Sequence, residues 1–247
     1  MNRILILFAA IALGACSTGP IKKQGRIQDE KTFLVNNPDG KGPEITVDFQ
    51  KGESFYYPIF AIWLEDMDGK YLQTLYVARS AGTGYFKYAR QEGNKWIGGV
   101  KRAPQTLPYW SHKRGVRASD GLFMPDEGTA VPDAYTGATP VTSFTLTSRA
   151  DGQLPEKYKV ILEINQNWDW NEYWTNDKYP DDENYKMSCQ PALIYETVID
   201  SGRPENSYQM KPAGHSHYSG KTGELFTDLS TLTTALKIAE TITVRVK

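Results

Sequence analysis

The chain has few of the residues that build staples, metal sites or membrane spans. Two cysteines, Cys16 and Cys189, allow at most one intrachain disulfide. Three histidines leave few nitrogen ligands for a metal. After position 16 no apolar run approaches the roughly 20 residues that a membrane-spanning helix needs. Neither charge dominates: 28 basic and 29 acidic residues are well mixed, so there is no basic patch to attract nucleic acid. No internal repeat is visible. No Ser-His-Asp order, paired-carboxylate signature or phosphate loop stands out, and a non-catalytic protein is expected. Aromatic residues, in contrast, are abundant: 12% of the chain, with 15 Tyr and 6 Trp. That richness suits β-sheets and exposed binding faces.

Compartment is read from the first residues. Met1-Asn2-Arg3 is a short basic start, and Ile4 to Leu13 is apolar but too short to span a bilayer. This is the layout of a secretory leader, assigned to residues 1–15. Leu13-Gly14-Ala15-Cys16 closes it and resembles the lipobox of bacterial lipoproteins. That resemblance implies cleavage before Cys16 and lipid modification of its thiol, with an anchor in the membrane, and Ser17 after it favours the outer membrane. The alternative is an ordinary secretory cut near Ala15. If Cys16 carries lipid, Cys189 has no partner for a disulfide. Residues 16–40 are taken as the lipidated Cys and a tether, with Ser17 to Lys31 lacking any apolar period. Residues 41–247 are taken as the folded domain.

Within that domain the pattern is β throughout. Ile45 to Phe49, Ser143 to Thr147, Tyr158 to Ile164, Ala192 to Ile199, Ser207 to Met210 and Thr241 to Val246 read as strands. Two β-type runs, Pro58 to Leu64 and Tyr71 to Val77, flank the hairpin signal Asp68-Gly69. Residues 78–126 have no long apolar period and accommodate at most a short helix. Leu229 to Ile238 is the best helix or extended-loop candidate. Strands separated by turn signals, without β-helix-β alternation, predict an all-β, immunoglobulin-like antiparallel β-sandwich with long loops.

The stretch with most chemical content is Asp133-Ala134-Tyr135-Thr136-Gly137-Ala138-Thr139. It resembles the D-x-x-(S/T)-G-A-T signature at which bacterial flavin transferases attach FMN. The resemblance implies covalent FMN, its phosphate esterified to the Thr139 hydroxyl, with Asp133, Thr136, Gly137 and Ala138 as recognition sequence. It also implies a flavin transferase and a membrane redox partner. Asp133 is suited to holding the loop by accepting bonds from backbone N–H groups two residues on. An ordinary surface turn has the same composition.

A second resemblance spans most of the domain. Ala61-Ile62-Trp63-Leu64-Glu65-Asp66, Asp68-Gly69-Lys70, Leu75-Tyr76-Val77, the run from Asp133 to Pro140, and Asp151-Gly152 leading into Tyr158-Lys159-Val160 and Glu163-Ile164 carry it. Together they are similar to the predicted periplasmic family called domain of unknown function 2271. That family implies an immunoglobulin-type sandwich and association with flavin transferases and membrane proteins, hence an extracytoplasmic redox role.

After Ile164 the chain departs from that pattern. Asn165 to Trp174 holds Trp168, Trp170 and Trp174; if extended, Trp168, Trp170 and Glu172 share one face. Such a face can stack on a sugar ring or a flavin, which makes a cell-surface binding module for glycan or protein partners the rival function. Packing of these rings on the domain's own edge is nevertheless the expected arrangement. The acidic group Asp177, Asp181, Asp182 and Glu183 matches no EF-hand spacing and reads as a solvated loop. His215 and His217 offer half a metal site without a third ligand nearby, so no metal is expected.

Overall fold

The computed structural model describes residues 30–247; the leader, Cys16 and residues 17–29 lie outside the described residues. In chain order the strands and helices are β1 (Thr32–Asn36), β2 (Glu44–Lys51), β3 (Ile59–Glu65), β4 (Tyr71–Ala78), α1 (Arg79–Thr83), β5 (Tyr85–Glu92), β6 (Lys95–Val100), α2 (Pro108–Arg114), β7 (Thr136–Gly137), β8 (Phe144–Arg149), β9 (Lys157–Asn165), α3 (Glu183–Ser188), β10 (Leu193–Asp200), β11 (Tyr208–Gln209), β12 (Lys211–His215) and β13 (Ala239–Val246). Helix holds 12% of the residues, far below the roughly 30–35% of an ordinary globular protein. The domain is an all-β sandwich.

Strict alternation makes one of its sheets. In β2, Ile45, Val47 and Phe49 are buried while Thr46 and Asp48 face outward, and β8 repeats the pattern with Phe144 and Leu146 inward. This five-stranded sheet has the order β1-β8-β2-β13-β11. The second sheet, β12-β10-β9-β3-β4-β7, has six strands. Its central strands are not alternating: Phe60 to Glu65 in β3 and Tyr158 with Val160 to Asn165 in β9 are buried on both faces. Near-continuous apolar runs are what a sheet covered on both sides requires.

Between the sheets, aromatic rings stack across the sandwich. Phe144 lies 4.9 Å from both Phe49 and Phe60, and Phe60 lies 5.0 Å from Tyr76. Aliphatic side chains of both sheets complete this core. A second core covers the opposite face of the six-stranded sheet, where Ala61, Trp63, Val77 and Ile161 pack under Ala81, Leu107, Trp110 and Val131. Ala81 of α1 and residues 101–135, which show no periodic pattern, form most of this cover.

The cover is pinned by one buried carboxylate. Helix α2 starts with Leu107 as a cap that offers no side-chain oxygen, followed by Pro108, which has no N–H. The next two backbone N–H groups, of Tyr109 and Trp110, donate to Glu163 Oε1 at 3.1 Å and Oε2 at 2.7 Å. Glu163 thus supplies from β9 the cap that the helix lacks locally. At the far end Lys113 Nζ donates to Gly69 O at 2.8 Å and pairs with Glu65 at 3.2 Å. Trp110 Nε1 donates to Thr74 Oγ1 at 3.0 Å.

Several expectations are refined. The Asp68-Gly69 hairpin joins β3 and β4, with Gly69 at φ 80° and Asp66 Oδ1 accepting the Lys70 N–H at 2.9 Å. Strand β1 lies inside the 16–40 span assigned to the tether. It pairs with β8 from Thr32–Phe144 to Asn36–Ser148, so the folded unit begins ahead of residue 41. Its burial alternates, with Leu34 and Asn36 inward, but as an edge strand it carries the apolar Phe33 and Val35 on its exposed face, so apolarity does not mark the buried side. The sandwich is mixed, because β1–β8 and β4–β7 are parallel. Leu229 to Ile238 contributes a single 3-10 turn, Ala235–Lys237.

Glu163 gives the fold a testable pH signature. Burial pushes its carboxyl from the usual 4.5 up to about 8, against the lowering effect of the two N–H donors. A folded-state value above the unfolded one means that its contribution is complete below 4.5 and is lost as pH rises through about 8. Urea denaturation should therefore show stability falling across that window in the wild type, with the fall reduced in Glu163→Gln. Glu163→Ala, which strands two buried donors, should cost about 2–4 kcal/mol at low pH, where the Glu163 contribution is complete, and less as pH rises through about 8. A pH profile unchanged by Glu163→Gln would remove this role from Glu163.

Candidate functional site

The Asp133–Thr139 segment lies along the β4 edge of the six-stranded sheet. Asp133–Tyr135 forms a 3-10 turn, and Thr136 and Gly137 pair in parallel with Val77 and Ala78. Each side of the segment is fastened. Asn37 N–H donates to Ala134 O at 3.1 Å. The Tyr135 hydroxyl donates to Asp151 Oδ1 at 2.7 Å, an oxygen that also accepts from Asn37 Nδ2 at 2.8 Å. Burial and the Asp151 carboxylate push the Tyr135 phenol up to about 12. The Tyr76 hydroxyl donates to Ala138 O at 2.9 Å. Gly137 is required here by a close approach: a Cβ would stand 2.7 Å from Tyr76 Cε2.

Within this frame the motif residues differ in accessibility. Asp133 is exposed and faces Arg79 at 3.5 Å. It does not bond the backbone N–H groups two residues on, because the turn is already held by its own 3-10 bond from Tyr135 N to Pro132 O. Thr136 is buried, and its hydroxyl has no partner. Ala138 is exposed. Thr139 is half-buried and its hydroxyl makes no hydrogen bond among the described residues, while Pro140 after it is buried. Of its two unengaged hydroxyls the segment buries that of Thr136 and leaves that of Thr139 within reach of solvent.

The tryptophan segment is a series of turns, not an extended face. Trp168 has φ 58°, and its N–H donates to Met187 O at 2.9 Å. Asn171 Oδ1 then accepts from Tyr173 N at 2.9 Å and Trp174 N at 2.7 Å, reversing the chain. Trp168 and Trp170 are both more than half exposed. Trp174 is only 6% exposed, with Nε1 donating to Thr231 Oγ1 at 3.1 Å and its ring against Tyr185, Tyr218 and His215. Its assignment as a ligand-binding residue is corrected: it is a core side chain.

The remaining candidates are structural. Asp182 caps α3 by accepting from Tyr185 N at 3.1 Å and pairs with Lys221 at 3.2 Å. Glu183 pairs with Lys186 at 2.7 Å. His215 is buried with Nδ1 2.8 Å from Ser216 O, while His217 Nδ1 accepts from Ser219 N at 3.1 Å. Among the described residues no three His, Cys, Asp or Glu side chains gather into a metal-binding group. Cys189 is free and buried, and burial pushes its thiol up to about 11, which leaves it unreactive. The sequence reading missed the β5–β6 hairpin, whose local signal is the Gly93-Asn94 turn between two segments that do not alternate.

The two classes of tryptophan should separate on truncation. Trp174→Ala should cost about 3–5 kcal/mol in a urea melt, whereas Trp168→Ala and Trp170→Ala should each stay within about 0.5 kcal/mol of wild type. Equal losses at all three positions would contradict the burial difference.

Searches against models of protein families, curated proteins and solved structures found no match for this chain.

Proposed function

We propose that the protein is a lipid-anchored, non-catalytic component of a flavin-linked electron-transfer system in the bacterial cell envelope, with FMN esterified to Thr139. The observation that carries this reading is the intact Asp-x-x-Thr-Gly-Ala-Thr run, fastened at the sheet edge with the Thr139 hydroxyl unengaged. The residues fit a tethered phosphate ester. Thr139 has no internal hydrogen bond to lose, Ala138 is small and exposed, and Gly137 carries no side chain. Arg79 follows Ala78, whose backbone pairs with Gly137, and supplies a cation to this negatively charged neighbourhood. When attached, the flavin supplies the redox chemistry.

This chain's own residues supply position. Tyr76 holds the Ala138 carbonyl, and Tyr135 and Asn37 converge on Asp151, so the attachment loop is rigid up to the residue before Thr139. Cys16 is the proposed point of lipid attachment, with an outer-membrane address. The partners are a flavin transferase and a membrane redox protein. The exposed Trp168 and Trp170 favour one second reading, a surface module that stacks on glycan rings or a protein partner.

Co-expression with a flavin transferase should add one FMN, seen as a fluorescent band that survives denaturing electrophoresis. Thr139→Val should abolish the band with an unchanged melt; Thr136→Ser should retain it. A wild-type chain left unlabelled while a known carrier is labelled would eliminate the flavin reading. Separately, Cys16→Ala should abolish lipid labelling and release the protein from the membrane fraction. Unaltered labelling and fractionation would rule out the anchor.

A further inference from the structure

The β5–β6 hairpin stands apart from both cores. It forms its own two-stranded sheet, and none of its side chains belongs to either hydrophobic cluster of the described residues. At its root, Lys101 N–H donates to Gly84 O at 3.0 Å and Tyr85 N–H to Thr83 Oγ1 at 3.2 Å, beside α1. A hairpin with no third strand or covering helix is at best marginally stable in water. Its side chains nevertheless form an ordered apolar face. Tyr85 is opposite Val100, and the Tyr88 ring meets the Trp96 ring edge-on at 6.2 Å. Trp96, Gly98 and Val100 share a face by the period of two. The Tyr85 hydroxyl lies over Gly98, where a Cβ would stand 2.8 Å from it. The irregularity between Phe86 and Arg90 brings Tyr85 and Tyr88, three residues apart, to the same side. Tyr85, Tyr88, Trp96 and Val100 are each more than half exposed.

We propose that this face docks on an anionic lipid surface. Three observations select a bilayer over other occupants. First, the face is built of Tyr and Trp, whose rings favour the boundary between hydrocarbon and water. Second, the hairpin carries Lys87, Arg90 and Lys95 against Glu92 alone, a net charge of +2 within a chain of net −1. Cations beside interfacial aromatics are the complement of anionic headgroups. Third, its root lies at the end of the sandwich where the chain enters. Gln105, shortly after the hairpin, accepts from Asn165 at the end of β9 at 2.8 Å, and β3 begins opposite that residue. Phe60 in β3 stacks on Phe144, the partner of Thr32 at the start of β1. The 14 residues from 16 to 29 reach at most about 50 Å. An anchor at Cys16 would keep this end within reach of the bilayer. The geometry rests on the proposed lipid anchor in that last respect; the charge and the aromatic face do not.

The test uses the chain from residue 16 onward with Cys16→Ala, so that no acyl chain contributes. It should sediment with vesicles of phosphatidylethanolamine and phosphatidylglycerol, less with phosphatidylcholine, and release on added salt. Tryptophan emission should shift to shorter wavelength on binding. The double variant Tyr88→Ser and Trp96→Ser should lose about tenfold or more in partitioning, with an unchanged thermal melt because neither ring touches a core. Binding undiminished in that variant, or no binding to any vesicle, would overturn the proposal. So would a concentration-dependent dimer that the variant dissociates, since the occupant would then be a second copy of the chain. Lipid labelling at Cys16 is read out independently, so failure here leaves the anchor itself standing.

Discussion

The buried Glu163 carboxylate is the constraint on which the second half of the architecture depends. A six-stranded sheet that is apolar on both faces needs two covers, and only one is another sheet. The other is an aperiodic stretch of chain with little reason of its own to lie on β3 and β9. Glu163 converts that contact into a specific one. It occupies the single buried position where two N–H groups of α2 would otherwise be stranded. Apolar burial under Trp110 supplies the driving force, and the carboxylate supplies the register. Replacing it by an apolar residue would leave the cover attracted to the sheet but without a defined seat.

This arrangement explains what was legible in the residues and what was not. The strands announced themselves wherever one face is wet, as in β2 and β8, or wherever both are dry, as in β3 and β9. Asp68-Gly69 was legible because its turn chemistry is local, carried by Asp66 and the positive φ of Gly69. The cover was not, because the pairing of Glu163 with α2 spans more than fifty residues and leaves no periodic trace. β1 was hidden for the opposite reason: on a sheet edge its Phe33 and Val35 point to solvent, and apolar alternation there says nothing about burial. The tryptophan segment was misread because Asn171 reverses the chain through side-chain bonds that period-two reasoning ignores, sending Trp174 inward and leaving Trp168 and Trp170 outside.

The motif segment was legible as residue types but not as mechanics. Nothing in Asp133 to Thr139 foretells that Tyr76, on the neighbouring strand, both grips Ala138 and forbids a side chain at Gly137. The glycine that a modifying enzyme would be thought to need for access is needed first by the fold. The structural demand and the proposed recognition demand fall on the same position, so a substitution there tests both at once, whereas Thr139 separates them.

The parallel pairing of β1 with β8 carries a consequence for the order of assembly. Thr32 meets Phe144, a partner 112 residues further along the chain. The first of the described strands therefore waits for about half of the domain before it has this partner to join. Contacts of such sequence separation slow folding, because a long loop must close before any bond rewards it. During that interval β2 can pair with β13 only after the last strand has emerged as well. The five-stranded sheet is thus completed only by β13, so a chain that emerges from its N-terminus is held without its central strand pairing until residues 239–246 arrive.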